Sequence, residues 1–347
     1  PNVTVLLHAN ATGLETDPQG RTVTSVGVAT LDGNRFSVDA GTFVLATGAV
    51  ENARLLLVSD ERRPDGLGNE NGLVGRFFLE HPRFLAGFIV PSGADPNLNF
   101  YRDHRVDGHL FVGFLASSKE FQLAEGLLDL QIRLEVDYGD APDDAADFAR
   151  HLMTLAGDVD SWQELAIPGA PVPIPYLDVI RRALEDPEDT YVDLRGHLEA
   201  IGLTTRIEQA PNPDSRIVLV PERDELGMQR VALDWRLSDV DRRNVRETLE
   251  LLGAEIGHAG LGRVRILHAD EPGWPDDLNG GQHHMGTTRM SDDPRQGVVD
   301  RHCRVHGMSN LFIAGCSVFP TPGGATPTLM LIALAIRLAD RLKARML

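Results

Sequence analysis

The polar and apolar positions change rhythm twice along the chain, and each rhythm predicts its own kind of element. Near the start, "VTVLLHANATGLETD" carries β-branched and aliphatic residues at Val3, Val5, Leu6 and Leu7, which predicts a strand. "RTVTSVGVAT" and "NRFSVDAG" then alternate about Asp32-Gly33, the pattern of a β-hairpin. In "TFVLATGAVENARLLLVS", Phe43 to Ala46 form a short continuous apolar run, which predicts a strand buried on both faces. A Thr-Gly-Ala turn follows, and Ala53, Leu56 and Leu57 continue at helical spacing. A buried strand, a small-residue turn and a helix make the phosphate-side corner of many nucleotide-binding sheets.

From Arg83 to about Trp235 alternation takes over. "HLFVGFLA" and "LDLQIRLEVDY" read as strands separated by longer loops, among them "IPGAPVPIPY", and predict an antiparallel sheet covered on one face. "RIVLVPERDELGMQRVALDW" reads as strand, polar turn, strand. "SDVDRRNVRETLELLGAEIGHAG" predicts an amphipathic helix with Ser238 as N-cap and Gly260 near its end. The last stretch returns to the first rhythm, and "SNLFIAG" predicts a short buried strand over Leu311 to Ala314. "TPTLMLIALAIRLADRLKARM" then predicts a helix with Thr326 at the N-cap, Pro327 at the first helical position and Arg341, Lys343 and Arg345 at the C-terminal end. The order is part of an α/β domain, an antiparallel insertion, and the α/β domain again.

Composition narrows the function more than the fold. The 347 residues suffice for two domains, or one domain with large insertions, and for a sizeable core. A net charge of -18 argues against nucleic acid or anionic lipid as a partner. The longest apolar run, Leu329 to Ile336, is too short to span a bilayer, so a soluble protein of cytoplasm or periplasm is expected. Two cysteines, Cys303 and Cys316, make no disulfide framework. His283, His284, His302, Cys303 and His306 lie close in sequence but fit no compact four-ligand spacing, so no metal is expected.

The candidate chemistry sits in "GGQHHMGTTRM", Gly280 to Met290. Glycines allow close backbone approach, and histidine accepts and returns protons near neutral pH. The combination reads as a backbone bent around a reacting centre, with a polar surface loop as the plainer alternative.

Five stretches, "VLATGAVENARLLL", "VGRFFLEHP", "EQAPNPDSRIVL", "HHMGTTRM" and "NLFIAGCSVFPTPGGATPTLMLIALAIRLAD", together resemble the glucose-methanol-choline (GMC) oxidoreductases, in particular their bacterial sugar and polyol dehydrogenases and pyranose-oxidase-like members. The resemblance implies an α/β fold: a partial, Rossmann-like FAD-binding domain interrupted by an antiparallel-sheet α+β substrate domain. It divides the chain at 1–82 (FAD-binding part), 83–280 (substrate-binding) and 281–347 (active-site loop and return to the FAD-binding domain). It implies FAD as cofactor and oxidation of a CH–OH group, of a sugar or polyol, as the reaction. His283 matches the family's catalytic base, while His284 is expected to bond backbone or face substrate. Thr326 stands where the family usually has asparagine or histidine, a departure that leaves capping and catalysis both open. Glu208, in "EQAPNP", matches a glutamate over the substrate in sterol-oxidising relatives, with a solvated loop carboxylate as the alternative. For the cofactor the resemblance points to Ala11, Gly48, Ala49, Gly315, Cys316, Pro327 and Thr328, with Cys316 as a compact packing residue rather than a redox thiol.

The family pattern opens with a Gly-x-Gly-x-x-Gly turn that this sequence lacks. The chain is therefore expected to be the C-terminal portion of such an enzyme, partnered by a missing N-terminal FAD-binding segment or a complementary chain. Two readings remain at this point: the catalytic portion of an alcohol oxidoreductase, or a non-catalytic subunit or pseudoenzyme of the same fold.

Overall fold

The computed structural model describes residues 2–59, 62–92, 99–101, 104–136, 200–268 and 273–346. The proline-rich stretch 167–176, expected to be a loop of the antiparallel region, lies outside the described residues.

Strands β1 (Asn10–Thr16), β2 (Val23–Ala29) and β3 (Arg35–Asp39) form an antiparallel sheet, with the expected hairpin turning at Gly33. Strand β4 (Phe43–Leu45) leads through Ala46 and Thr47 into helix α1 (Gly48–Val58). β5 (Arg83–Pro91) follows, then the short hairpin β6 (His104–Val106) and β7 (His109–Phe111), then β8 (Leu115–Ala116), helix α2 (Lys119–Glu125) and β9 (Leu130–Val136). Beyond residue 199 come β10 (Ile201–Ile207), the hairpin β11 (Arg216–Arg223) and β12 (Gln229–Asp234), helix α3 (Asp239–His258) and β13 (Gly262–Ile266). The chain closes with β14 (Leu311–Ile313) and helix α4 (Thr328–Met346).

The middle of the chain builds a five-stranded antiparallel sheet in the order β13-β5-β10-β9-β8. Alternation sends Phe84, Ala86, Ile132, Leu134, Leu203 and Ile207 to one face, where Val245 and Leu249 of α3 cover them. Each such fully buried aliphatic or aromatic side chain contributes about 1.5–3 kcal/mol. The opposite alternation places Arg83, Arg206 and Gln131 in one register row across β5, β10 and β9. Helix α3 starts as expected at Ser238, whose backbone N–H is held by the Asp241 carboxylate at 2.6 Å.

The α/β part is held by β14 running parallel to β4, two strands more than 260 residues apart in sequence, with Leu311 opposite Phe43 and Ile313 opposite Leu45. Parallel strands need a long crossover, and here about three-quarters of the chain is that crossover. Asn310 ties β2 into the same place, donating to the Val23 carbonyl at 2.8 Å and accepting its N–H at 2.9 Å. The core around this pair gathers residues from Leu14 to Leu79 and from Met285 to Leu338. Met228 also joins it, because the β11–β12 hairpin docks on α1 through Arg54, which contacts Asp224 at 2.6 Å and the Gln229 carbonyl at 2.7 Å.

Four expectations are corrected. The strand expected from Val3 begins only at Asn10, and Val3, Val5 and Leu7 are more than two-thirds exposed; among the described residues no strand pairs with 2–9, and an unpaired strand has nothing to satisfy its backbone. Strand β4 is not buried on both faces, since Val44 is 43% exposed. The strand expected over 109–116 breaks into β7 and β8, because Gly113 turns to donate its N–H to the Phe100 carbonyl. Helix α4 starts one residue late: the Pro327 carbonyl accepts the Leu331 N–H at 2.9 Å, so proline takes the cap position, where its missing N–H costs nothing. Thr326 stands just outside the helix and is exposed.

Helix α4 carries two apolar stripes. Leu331, Leu334, Leu338 and Leu342 pack on the core, while Leu329, Ile332 and Ile336 are 82, 49 and 59% exposed. A helix that is apolar nearly all round belongs in an interior. None of the described helices is long and apolar enough to cross a membrane.

Candidate active site

The paired glycines of "GGQHHMG" are explained by what lies beneath them. A Cβ on Gly280 would meet the Glu80 side chain at 2.9 Å, and one on Gly281 would meet His283 Nδ1 and the His81 carbonyl at 3.2 Å. The loop therefore lies directly on Glu80 and His81, both of which are buried although they are polar. The Glu80 carboxylate accepts the backbone N–H of His81 at 2.8 Å and of His283 at 2.7 Å. One buried carboxylate thus fixes two backbone segments that are remote in sequence. Gln209 orients that carboxylate's own residue, accepting the Glu80 N–H at 3.0 Å and the Trp235 indole N–H at 3.0 Å.

His283 is half-buried, and its Nδ1 lies 2.8 Å from Nδ1 of His81. The other nitrogen of His81, Nε2, lies 2.6 Å from the Gly323 carbonyl oxygen. The two rings meet edge to face, 5.0 Å between centroids. Burial pushes both imidazoles below their ordinary pKa; for His283 the Glu80 carboxylate opposes that shift, while Arg206 and Arg83 add to it. Both rings are thereby held toward the neutral form at neutral pH. His284 turns the other way, half exposed, with Nε2 3.4 Å from Glu80.

The Gly323 peptide joins a second candidate. Its N–H is donated to Glu208 at 3.2 Å, and Glu208 also accepts the Asp129 N–H at 3.0 Å. His283, through His81, and Glu208 therefore converge on the backbone of one residue, Gly323, from different elements, and Glu208 is half-buried and anchored rather than a free loop carboxylate. Thr326, three residues on, is exposed and takes part in none of these bonds.

Four of the seven expected cofactor residues, Gly48, Ala49, Gly315 and Cys316, collect at the ends of β4 and β14. The Ala49 carbonyl accepts the Thr287 hydroxyl at 2.6 Å, Thr288 bonds Ser317 at 2.8 Å, and Asn52 of α1 donates to the same Ser317 at 3.0 Å. The Gly286 N–H reaches the Cys316 carbonyl at 3.3 Å. The segment that carries His283 is thus stitched to both strand ends, beside Gly48, Ala49, Gly315 and Cys316. Gly48 has φ +87° and open space where a Cβ would stand; Gly315 has φ +139° with only Asn52 within 4 Å, at 3.8 Å. Burial raises the Cys316 thiol pKa, which keeps it protonated and suits a packing role. Pro327 is buried, Thr328 opens α4, and Ala11 lies in β1 at the margin of the core, apart from the strand-end cluster. Among the described residues no three His, Cys, Asp or Glu side chains converge as a metal site would need.

Gly286 holds this junction in shape. At φ +84° a Cβ there would stand 2.1 Å from the Phe77 carbonyl. Gly286→Ala is expected to cost at least about 1–3 kcal/mol, read as a lower urea midpoint at unchanged slope. An unchanged midpoint would mean that the backbone yields without strain.

Residues 211–335 match the family model described as GMC oxidoreductase. The match takes in about a third of the chain, toward its C-terminal end, and is a similarity to that family. Paromamine 6'-oxidase of Streptomyces fradiae is 27% identical over 87% of this chain and 45% of its own length. The fructose dehydrogenase large subunit of Gluconobacter japonicus is 25% identical over 97% of this chain and 53% of its own. The chain spans about half the length of the curated relatives it matches. In fold it is similar to formate oxidase of Aspergillus oryzae, in which FAD modification is described, with a TM-score of 0.54 at 17% identity, covering 99% of this chain and 61% of that one.

Glu80, His81, Gln209, Thr287 and Thr288 belong to the site without having been expected there. The stretch "RFFLEHPRFLAGF" did contain a signal: a charged residue and a histidine inside an otherwise apolar run are buried only when bonded.

Proposed function

We propose that this chain forms about half of an FAD-dependent oxidoreductase that oxidises a CH–OH group of a sugar or polyol. The observation that carries the reading is the half-buried His283 ring, anchored through Nδ1 and kept toward its neutral, proton-accepting form by burial. In this reading His283 takes the substrate hydroxyl proton, Glu208 borders the substrate, and Thr326 faces it from just ahead of α4. The residue divisions 1–82, 83–280 and 281–347 are retained, with the β11–β12 hairpin leaning on the first of them through α1.

The strand ends fit a dinucleotide. Two positive-φ glycines leave open space beside the N-terminus of α1, where helix N–H groups favour phosphate. Gly48, Ala49, Gly315 and Cys316 would hold FAD by close backbone approach, with Ala11 toward the adenine and Pro327 and Thr328 presenting the positive end of α4. The chemistry FAD supplies when bound is acceptance of a hydride from the alcohol carbon. This chain's part is to orient the alcohol, exclude water and hold the hydroxyl proton at His283. A further segment bearing the dinucleotide turn is proposed as partner. Its support is that the relatives are about twice as long and that Val44 and the outer stripe of α4 are uncovered here.

Anaerobic addition of sugars and polyols to the flavin-loaded full-length protein is the test. Bleaching of the flavin band by at least one of them is expected. A flavin that no alcohol reduces would leave only the non-catalytic alternative.

A further inference from the structure

We propose that His81 is a positioning residue that locks His283 in the tautomer with hydrogen on Nδ1, leaving the lone pair on Nε2, and that Glu80 holds the two histidines in register for this. The assignment follows from counting hydrogens. The Gly323 carbonyl can only accept, so the 2.6 Å contact requires the hydrogen of His81 to be on Nε2. His81 is fully buried, and burial favours its uncharged form, which has one ring hydrogen. Its Nδ1 is then a bare acceptor. The 2.8 Å contact between the two Nδ1 atoms needs one hydrogen, and His283 must supply it. Neutral His283 therefore carries its lone pair on Nε2, the nitrogen that takes no part in this contact.

Three further observations fit the lock. Glu80 accepts the backbone N–H of both histidines, so their spacing is set by one carboxylate and not by two mobile loops. Gly281 gives the His283 ring its room, since a Cβ there would stand 3.2 Å from Nδ1. When His283 gains a proton at Nε2, the Nδ1–H keeps its acceptor and the nearby Glu80 carboxylate stabilises the new positive charge, so no group has to move. The lock is set from the Gly323 carbonyl, and the N–H of the same residue holds Glu208. The loop ahead of α4 therefore controls both the tautomer of the base and the placement of its neighbouring carboxylate.

The lock deepens the oxidoreductase reading, which supplies the reaction that Nε2 would serve, but its test does not need the reaction. In the full-length protein labelled with ¹⁵N-histidine, the nitrogen resonances of His283 at neutral pH should show a protonated Nδ1 and a bare Nε2, and those of His81 the reverse. His81→Phe removes the acceptor and should shift His283 toward the Nε2–H form, slowing flavin reduction roughly 10²-fold, as misplacement of a catalytic group does. His81→Gln offers a side-chain carbonyl in its place and should recover most of both. A protonated Nε2 on wild-type His283 overturns the proposal, and so does a tautomer that His81→Phe leaves unchanged. Should His81→Phe not fold, the wild-type resonances decide alone. The expected tautomer in a protein whose flavin no alcohol reduces would sink the oxidoreductase reading and leave the lock, whereas the wrong tautomer in an active enzyme would sink only the lock.

Discussion

FAD mixed with the 347-residue chain alone is expected to stay almost entirely free, and to bind stoichiometrically once a segment carrying the dinucleotide turn is supplied in the same chain or as a separate one. The reason is uncovered surface. Val3, Val5 and Leu7 have the composition of a strand and no partner strand among the described residues, Val44 exposes one face of β4, and Leu329, Ile332 and Ile336 form a second apolar stripe on α4. Covering a Val, Leu or Ile side chain is worth about 1.5–3 kcal/mol, so a strand and helix laid over these positions would gain several times that. The strand ends offer open glycines on their own side, but the Gly-x-Gly-x-x-Gly turn implied by the family resemblance is not in this sequence. Flavin absorbance that co-elutes with the protein on gel filtration checks the point. Tight stoichiometric binding by the chain alone would refute it.

What is legible in the sequence, and what is not, divides along contact range. The hairpin at Gly33, helix α1, the β11–β12 hairpin and the Ser238-capped α3 follow from periodicity and turn chemistry, which are local. The strand expected at Val3 fails because a strand is defined by its neighbour, and no described strand lies beside it. The break at Gly113 escapes for the same reason: it depends on the Phe100 carbonyl. In the site, His283 and Glu208 are marked by motif, yet the residue whose backbone joins them, Gly323, has no side chain to advertise it. Glu80 and His81 stand inside the stretch "VGRFFLEHP" without a visible role, since their partner His283 lies about two hundred residues away and nothing local shows the pairing. Thr326 reads as a cap because threonine before proline is a strong start signal, but the Pro327 carbonyl takes the first helical bond instead.

The largest single-residue effect is expected at His283. The ring is half-buried, its Nδ1 is engaged by His81, and its pKa is pushed down by burial, so it is neutral and able to accept a proton from neutral pH down to below the ordinary imidazole value. With His283 as the proposed base, replacing it is expected to cost about 10²–10⁴-fold in the proton-coupled step. His284 is the internal control, because it neighbours the same Glu80 but is half exposed and holds no bond to His81 or Gly323. The decisive measurement is anaerobic stopped-flow reduction of the flavin by a sugar or polyol, with wild type, His283→Ala and His284→Ala compared as folded, flavin-loaded full-length proteins. A rate lower by about 10²–10⁴-fold is expected for His283→Ala and a much smaller change for His284→Ala; equal effects at the two positions, or the larger effect at His284, would contradict His283 as the base.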